Sequence, residues 1–299
     1  MSESRPPPVT CRPWRSHSEW ALTAAPFLWL IVLFAAPTAV VVFMSLREAA
    51  PSGGLGDAWS LRAWRDLAHP IYPVILWRTL RLSLIATALC LALALPVAFL
   101  AGRAAPRLRS ILILLIVVPF WTNFLIRVFA WRVLLQPEGM LRRALLSFGW
   151  IEESTLLMYN EWTVLLVMVY TYLPFAILPL YAAAERFDYG LLDAARDLGA
   201  SAAGAFCRVF LPGISRGLLA ALAMVLIPAL GSYVIPDLVG GPGQEMLGNK
   251  IAQRTFVDRN LPHAAALATL LIAVAMLPVA AAFLFARPAR PAAEEGGTS

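Results

Sequence analysis

Asp193-Ala194-Ala195-Arg196-Asp197-Leu198-Gly199 and, further along, Val209-Phe210-Leu211-Pro212 lie between two long apolar segments of this chain. Charged and small residues are concentrated in this region, whereas the sequence on either side is almost entirely apolar. Charged side chains are costly inside a bilayer but are tolerated at its surface. The pattern therefore indicates membrane helices on both sides and, between them, a segment that lies at the membrane surface.

The composition of the whole chain is that of a membrane protein. Hydrophobic residues make up 60% and charged residues 14% of the sequence, and the mean hydropathy is +0.72. About 20 apolar residues in a helix cross a bilayer. The runs are continuous rather than alternating, which favours helices over barrel strands. The sequence predicts an all-α polytopic membrane protein with six spans, at about 20–46, 79–101, 111–135, 162–184, 214–238 and 264–286.

These spans divide the chain into a transmembrane domain and two tails. Residues 1–19 are expected to form a basic cytoplasmic tail, 20–286 the membrane domain and 287–299 a second cytoplasmic tail. Cationic residues are divided almost equally between the two sides. The basic N-terminal tail and the short 102–110 loop are the segments that the positive-inside rule weighs most, and both favour termini inside the cell.

The segment at about 185–213 is predicted to contain two short helices. The first, over about 189–198, should carry charged residues on one face, and its apolar face should consist of Leu191, Leu192, Ala195 and Leu198. Gly199 permits a sharp turn after it. The second helix should turn Arg208 away from the membrane and end at Pro212, and its apolar face should consist of Ala202, Phe206 and Val209.

The spacing in this segment resembles the EAA signature of permease subunits of ABC importers. That signature has an acidic residue, two alanines, a glycine four positions after the second alanine, and a hydrophobic-x-Leu-Pro ending. The matching positions are Asp193, Ala194, Ala195, Gly199, Val209, Leu211 and Pro212. Asp replaces the usual Glu and Val the usual Ile, and both replacements keep the chemical character of the position. An interfacial amphipathic linker is the alternative interpretation, but such a linker does not require this spacing.

The resemblance implies the type I ABC importer fold and a set of partners. The EAA segment would dock on a cytoplasmic ATPase dimer and couple ATP hydrolysis to movement of the spans. A second homologous permease subunit would complete the pore in the bacterial inner membrane, and a periplasmic solute-binding protein would deliver the solute. The chain contains no G-x-x-x-x-G-K-[ST] loop, so ATP is expected on the partner ATPase. We expect neither enzymatic activity, a bound cofactor nor a nucleic-acid partner for this chain itself.

The region from Gly231 to Ala266, together with the six-span plan, resembles the first-type subunit of spermidine/putrescine permeases. Related permeases for ferric iron, thiamine and other small solutes carry parts of the same motifs, and a secondary transporter is a further alternative. A polyamine should be passed by carboxylates and by aromatic faces. The candidates for such a path are Asp237, Tyr233, Trp121 and Glu245. Asp237 could instead be a helix-end residue, and the two aromatic residues could be interfacial or packing residues.

Three further patterns in the sequence bear on the spans, on metal binding and on docking. Pro119, Asn123, Arg127 and Trp131 recur every four residues in the third span, which predicts one polar stripe facing the bundle interior or an arginine that snorkels to the surface. The histidines have no ligand spacing, so no metal site is expected. A docking surface for the binding protein is expected on two external loops, one of them spanning 240–262 and the other holding Trp59, Trp64 and Trp77.

Overall fold

The computed structural model describes residues 16–51 and 53–285, which are almost entirely helical. The first half of the chain contains helices α1 (Ser16–Ser45), α2 (Arg62–Asp66), α3 (Ile71–Arg103), α4 (Pro106–Val117), α5 (Phe124–Leu135) and α6 (Met140–Ser147). A small antiparallel hairpin of β1 (Arg47–Ala49) and β2 (Leu55–Trp59) lies between α1 and α2.

The second half begins with the long helix α7 (Glu161–Glu185). The short helices α8 (Gly190–Asp197), α9 (Ala202–Ala205) and α10 (Leu211–Gly213) follow it, with a π-helical turn at Phe206–Phe210 before α10. The chain then forms α11 (Ser215–Leu230), α12 (Val234–Val239), α13 (Leu247–Ala252), a second π-helical turn at Gln253–Val257, and α14 (Leu261–Phe285).

The helices confirm the six-span plan when each bent helix pair is counted as one span. Among the described residues, four helices are long and apolar enough to cross a membrane, namely Pro26–Ser45 of α1, all of α3, all of α7 and Leu261–Pro278 of α14. Two bent pairs pass the same test together, Pro106–Trp121 with Phe124–Ser147 and Ala202–Gly213 with Ser215–Leu230. The first pair corresponds to the third predicted span. In the second pair, Ser215–Leu230 corresponds to the fifth predicted span, and Ala202–Gly213 belongs to the 185–213 segment that precedes it. Helix α1 covers Ser16–Ser45, and its apolar span is Pro26–Ser45. Residues 1–15 and 287–299 of the predicted tails lie outside the described residues.

The third span is not the continuous helix that the sequence predicted. Its two parts, Pro106–Trp121 and Phe124–Ser147, meet at 90°. A 3₁₀ turn at Val118–Trp121 contains Pro119, and the Asn123 side chain then caps α5 by accepting a hydrogen bond from the Leu125 amide at 2.8 Å. The spacing of four residues therefore does not continue across the break. The prediction of a polar stripe is therefore wrong for Pro119, whereas Arg127 and Trp131 lie one turn apart on α5 and are both half-buried.

The fifth span is also interrupted. Helix α11 ends at Leu230, residues 231–233 are not helical, and the chain resumes as α12. Gly231 follows the last helical residue and Pro228 lies inside α11, so both residue types that weaken a helix occur at this point. The sequence predicted one helix through Leu238 because periodicity alone does not detect such a break in an apolar run.

The core is formed where α3, α7 and α11 pack together. Helix α3 presents small residues at intervals of three or four positions that are all nearly inaccessible to solvent: Ala86, Cys90, Ala94, Ala98 and Ala101. Small side chains let membrane helices approach closely. Helix α11 approaches α7 in the same way, since a Cβ at Gly217 would lie 3.1 Å from the Pro179 carbonyl oxygen and would overlap Ala183.

The expected loops at the hairpin end are more structured than predicted. Trp77 lies inside α3 rather than in a loop, and Trp64 is half-buried with its indole N–H donating to the Ser45 hydroxyl at 3.2 Å. Only Trp59 of the three is both outside the long helices and well exposed, at 65%. The 240–262 segment contains α13, whose Leu247 is fully buried. Both segments are therefore structured, yet each keeps exposed apolar side chains, among them Trp77 at 67%, Phe256 at 77% and Val257 at 74%.

Candidate coupling segment and transport path

Residues 190–213 are called the coupling segment below. They form α8 and, after a sharp turn, a second continuous helix that consists of α9, the π-helical turn and α10, as the sequence predicted. Gly199 adopts a φ of +89°, a left-handed conformation that favours glycine. Its amide donates to the Arg196 carbonyl oxygen at 2.9 Å and closes the end of α8. The Ser201 hydroxyl accepts from the Gly204 amide at 3.1 Å and caps α9. The second helix ends at Gly213 rather than at Pro212, because proline is readily accommodated in the first turn of α10.

The exposed face of α8 differs from the predicted one. Leu192 is buried and Ala195 is half-buried, as expected, but Leu191 is 52% and Leu198 is 90% exposed. The helix has only eight residues, and Leu198 lies just beyond it as its C-cap. The segment therefore presents a mixed surface to the outside, made of Asp193, Ala194, Arg196, Asp197 and Leu198.

The second short helix shows a similar shift of its buried face. Phe206 and Val209 are half-buried and Arg208 is exposed, as predicted, whereas Ala202 is exposed. The most deeply buried side chain is Phe210, which is inaccessible to solvent and which the sequence analysis had not singled out. Leu211 is half-buried and Pro212 is exposed, so the signature residues themselves lie around Phe210 rather than forming the anchor.

Phe210 is the centre of an aromatic cluster that fixes the coupling segment to the bundle. Its ring centroid lies 5.0 Å from Phe99 of α3, 5.1 Å from Phe187, 5.1 Å from Phe206 and 6.3 Å from Tyr189. These distances are typical of favourable aromatic pairs. The spacing of four between Phe206 and Phe210 was the available sequence signal, because it places both rings on one helix face.

Cationic side chains surround the same cluster. The Arg103 guanidinium lies 5.5 Å from the centre of the Tyr189 ring and 5.6 Å from that of Phe99. Burial raises the pKa of the Tyr189 hydroxyl, although nearby Arg103 and Arg109 act in the opposite direction. Arg109 also forms an ion pair with Glu185 at 2.6 Å. The 102–110 loop and the coupling segment therefore lie at the same end of the bundle.

The candidate path residues lie at or beside the two helix breaks. Trp121 ends the 3₁₀ turn of the first break and is 77% exposed, and Tyr233 lies in the second break and is 48% exposed. Asp237 is exposed one turn further along α12, where its amide donates to the Tyr233 carbonyl oxygen at 3.1 Å. Non-helical backbone at membrane depth occurs where it is buried in protein or lines a water-filled cavity. The two breaks therefore leave the Trp121 and Tyr233 side chains exposed on the surface of the single chain.

Glu245 differs from the other three path candidates. Its carboxylate lies 2.6 Å from the Lys250 ammonium group, so its charge is already paired within the chain. Its carbonyl oxygen accepts from the Arg78 guanidinium of α3 at 3.4 Å. The structure thus brings Tyr233 and Asp237 together on successive turns, and it places Glu245 in a connection to α3.

A described bundle of up to six apolar spans, two of them bent, with a short exposed helix anchored at one end, is the architecture of an integral membrane protein. The chain belongs to the family described as binding-protein-dependent transport system inner membrane component, whose model matches residues 94–288. It is consequently a multi-pass inner-membrane permease.

Individual relatives and solved structures agree with this assignment. The chain is 37% identical over 240 residues to the spermidine/putrescine transport system permease protein PotB of Haemophilus influenzae, covering 80% of this chain and 84% of the relative. It is 34% identical to PotB of Escherichia coli, with 80% and 86% covered. A crystal structure of a bacterial alginate ABC transporter with its alginate-bound periplasmic protein contains a chain with the same fold, at a TM-score of 0.66 and 15% identity over 91% of this chain and 95% of that chain.

Proposed function

We propose that this chain is one permease subunit of an ATP-driven importer of polyamines such as spermidine and putrescine. The observation that carries the substrate assignment is the similarity to PotB over 80% of the chain at 37% identity. In this proposal a second homologous permease subunit completes the pore, a periplasmic binding protein delivers the polyamine, and ATP binds to a cytoplasmic ATPase dimer.

The exposed surface of α8 supports the ATPase contact. Ala194 is exposed and small, so a partner can approach the helix backbone closely at this point. Asp193, Arg196 and Asp197 surround it with groups able to form charge-assisted hydrogen bonds. Leu198, at 90% exposure, offers an apolar contact at the end of the helix. Such a combination of a small apolar centre and a polar rim is typical of protein interfaces.

Asp237 and Tyr233 are the residues that we assign to the polyamine path. Both are exposed on α12 or in the break before it, and no described ion pair neutralises Asp237. The carboxylate could attract an ammonium group, and the ring could contribute a cation–π contact of about 0.5–2 kcal/mol. Trp121, at the other helix break, is a third candidate with an exposed ring.

Uptake of radiolabelled spermidine into proteoliposomes tests both assignments. The vesicles should contain this chain, the second permease subunit and the ATPase, with the binding protein and spermidine outside and ATP inside. We expect Ala194→Trp to abolish uptake by preventing ATPase docking, whereas Ala105→Trp in the exposed loop before α4 should not. Uptake that survives Ala194→Trp would contradict the docking assignment.

The path assignment is tested in the same vesicles with Asp237→Asn. This variant should lower uptake at least about tenfold, the effect of losing roughly 1.4 kcal/mol of interaction with the cation. Glu138→Gln, at an exposed carboxylate outside α12, is the matched control. Failure of the unsubstituted complex to take up spermidine, while other solutes stimulate its ATPase, would overturn the substrate assignment alone.

A further inference from the structure

Helix α3 contacts the coupling segment near one end and residues 245–247 towards the other end. It is continuous over 33 residues, which corresponds to about 50 Å at the rise of an α-helix. Phe99 and Gly102 lie near one end, at the aromatic cluster of the coupling segment. Tyr72 and Thr79 lie towards the other end, beside α13 and the start of α14.

The contacts at the coupling end are tight. Phe99 touches the rings of Phe206, Phe210 and Tyr189 at centroid distances of 5.5, 5.0 and 6.0 Å. Gly102 packs so closely on the Tyr189 hydroxyl that a side chain at this position would overlap it. The coupling segment is linked covalently to α7 and α11, but these contacts give it a third attachment, to α3.

The contacts at the opposite end are hydrogen bonds to the segment that follows α12. The Thr79 hydroxyl, which is fully buried, accepts from the Leu247 amide at 2.8 Å and donates to the Ile75 carbonyl oxygen at 2.8 Å. The Arg78 guanidinium donates to the Glu245 carbonyl oxygen at 3.4 Å. These bonds fix the 245–247 segment, at the start of α13, to α3.

We infer that α3 transmits the movement of the coupling segment to the 245–247 segment at the opposite face, with Phe210 and Thr79 as positioning residues at its two ends. The inference rests on the proposed coupling function of the 193–212 segment. Helix α3 is one unbroken helix although Pro96 lies in its interior, and a packed element held by contacts near both ends is the kind that carries coupling between distant sites. The small buried residues of α3 let its neighbours pack closely against it between these two ends.

Gly243→Cys provides a probe of the opposite face that does not depend on the transported solute. Gly243 is exposed, and an added Cβ would have no neighbour within 4 Å. The complex with its ATPase and second permease subunit would carry this probe in a chain whose Cys11 and Cys207 are replaced by alanine. The measurement is the rate of maleimide labelling at position 243 with ATP and vanadate, relative to the rate without nucleotide.

We expect Phe210→Leu and Thr79→Val each to reduce the nucleotide effect on labelling at least about fivefold. The double variant should lose no more than the more severe single variant, because both residues act in series. Phe175→Leu is the matched control. The Phe175 ring of α7 pairs with Phe120 of the 3₁₀ turn at a centroid distance of 5.1 Å, so neither member of this pair belongs to α3. Thr87→Val is the control for Thr79, because its hydroxyl donates only within α3, to Ser83 at 2.7 Å.

The controls and the uptake assay separate the possible outcomes. Equal losses in the control variants would show a general packing effect and would overturn the inference. An unchanged nucleotide effect in Phe210→Leu or Thr79→Val would also overturn it, as would the absence of any nucleotide effect before substitution. Spermidine uptake tests the proposed substrate independently, because the labelling experiment contains no polyamine.

Discussion

Phe210 is the largest fully buried side chain among the described residues, and it lies in the coupling segment. It is inaccessible to solvent and lies within contact distance of four other aromatic rings. Replacement with alanine leaves a cavity that short, capped helices cannot easily close. We expect Phe210→Ala to lower the free energy of unfolding by about 3–5 kcal/mol.

Reversible denaturation in mixed micelles measures this loss. Leu198→Ala is the control, because Leu198 is 90% exposed and its truncation should change stability by less than about 0.5 kcal/mol. Equal effects of the two substitutions would show that Phe210 is not the anchor of the segment.

Gly199 provides a second prediction at the residue scale. Its φ of +89° is strained for a residue with a Cβ, although no neighbouring atom would obstruct the added methyl group. Gly199→Ala should therefore destabilise the fold by about 1 kcal/mol through backbone strain alone. Gly243→Ala has the same open surroundings without a positive φ, and it should be close to neutral in the same denaturation assay. A neutral Gly199→Ala would contradict this account of the turn.

Close helix packing makes a prediction at the scale of the elements. A Cβ at Gly217 would meet Ala183 and the Pro179 carbonyl of α7, so α11 must move outward to accommodate it. We expect Gly217→Ala to cost about 1–3 kcal/mol. Ala220→Val on the exposed face of α11 adds more volume but should cost far less, and thermal melting of the purified permease would distinguish the two. A larger effect of Ala220→Val would place the helix interface elsewhere.

The elements also show which parts of the structure could be read from the sequence. Long apolar runs predicted the spans, and the glycine after Leu198 predicted the turn, because both follow from local physical constraints. The breaks near Pro119 and Gly231 could not be located, since proline and glycine are tolerated in membrane helices with or without a break. The orientation of Leu191 and Leu198 depends on how α8 packs against the bundle, which helical periodicity does not determine.

The sequence likewise predicted the local structure of the candidate coupling segment but not its tertiary contacts. The spacing from Asp193 to Pro212 predicted the candidate coupling segment. The anchor at Phe210 comes from contacts with Phe99 on α3 and with Phe187 in the turn after α7, both distant in sequence. The negative charge of Glu245 makes it a candidate for the polyamine path, yet Lys250 neutralises that charge in the folded chain. Pairings of this kind depend on the tertiary structure, and a residue list alone does not reveal them.

At the scale of the whole molecule, the two ends of the bundle have different compositions and contacts. The 102–110 loop and the coupling segment share one end, joined by the contact of Gly102 with Tyr189. The hairpin, α2 and the start of α14 share the other end, where the His263 imidazole lies 4.0 Å from Asp66. Because the positive-inside rule weighs short basic loops most, we predict that the 102–110 end is cytoplasmic.

Labelling of cysteines with a membrane-impermeant maleimide in intact spheroplasts tests this orientation, in a chain whose Cys11 is replaced by alanine. Gly243→Cys should react without permeabilisation, whereas Cys207, which is exposed on the coupling segment, should react only after the membrane is opened. Cys90 is buried and should react in neither case. The reverse pattern would place the coupling segment outside the cell, where no ATP is available to drive it, and would therefore contradict both the orientation and the proposed docking of the ATPase.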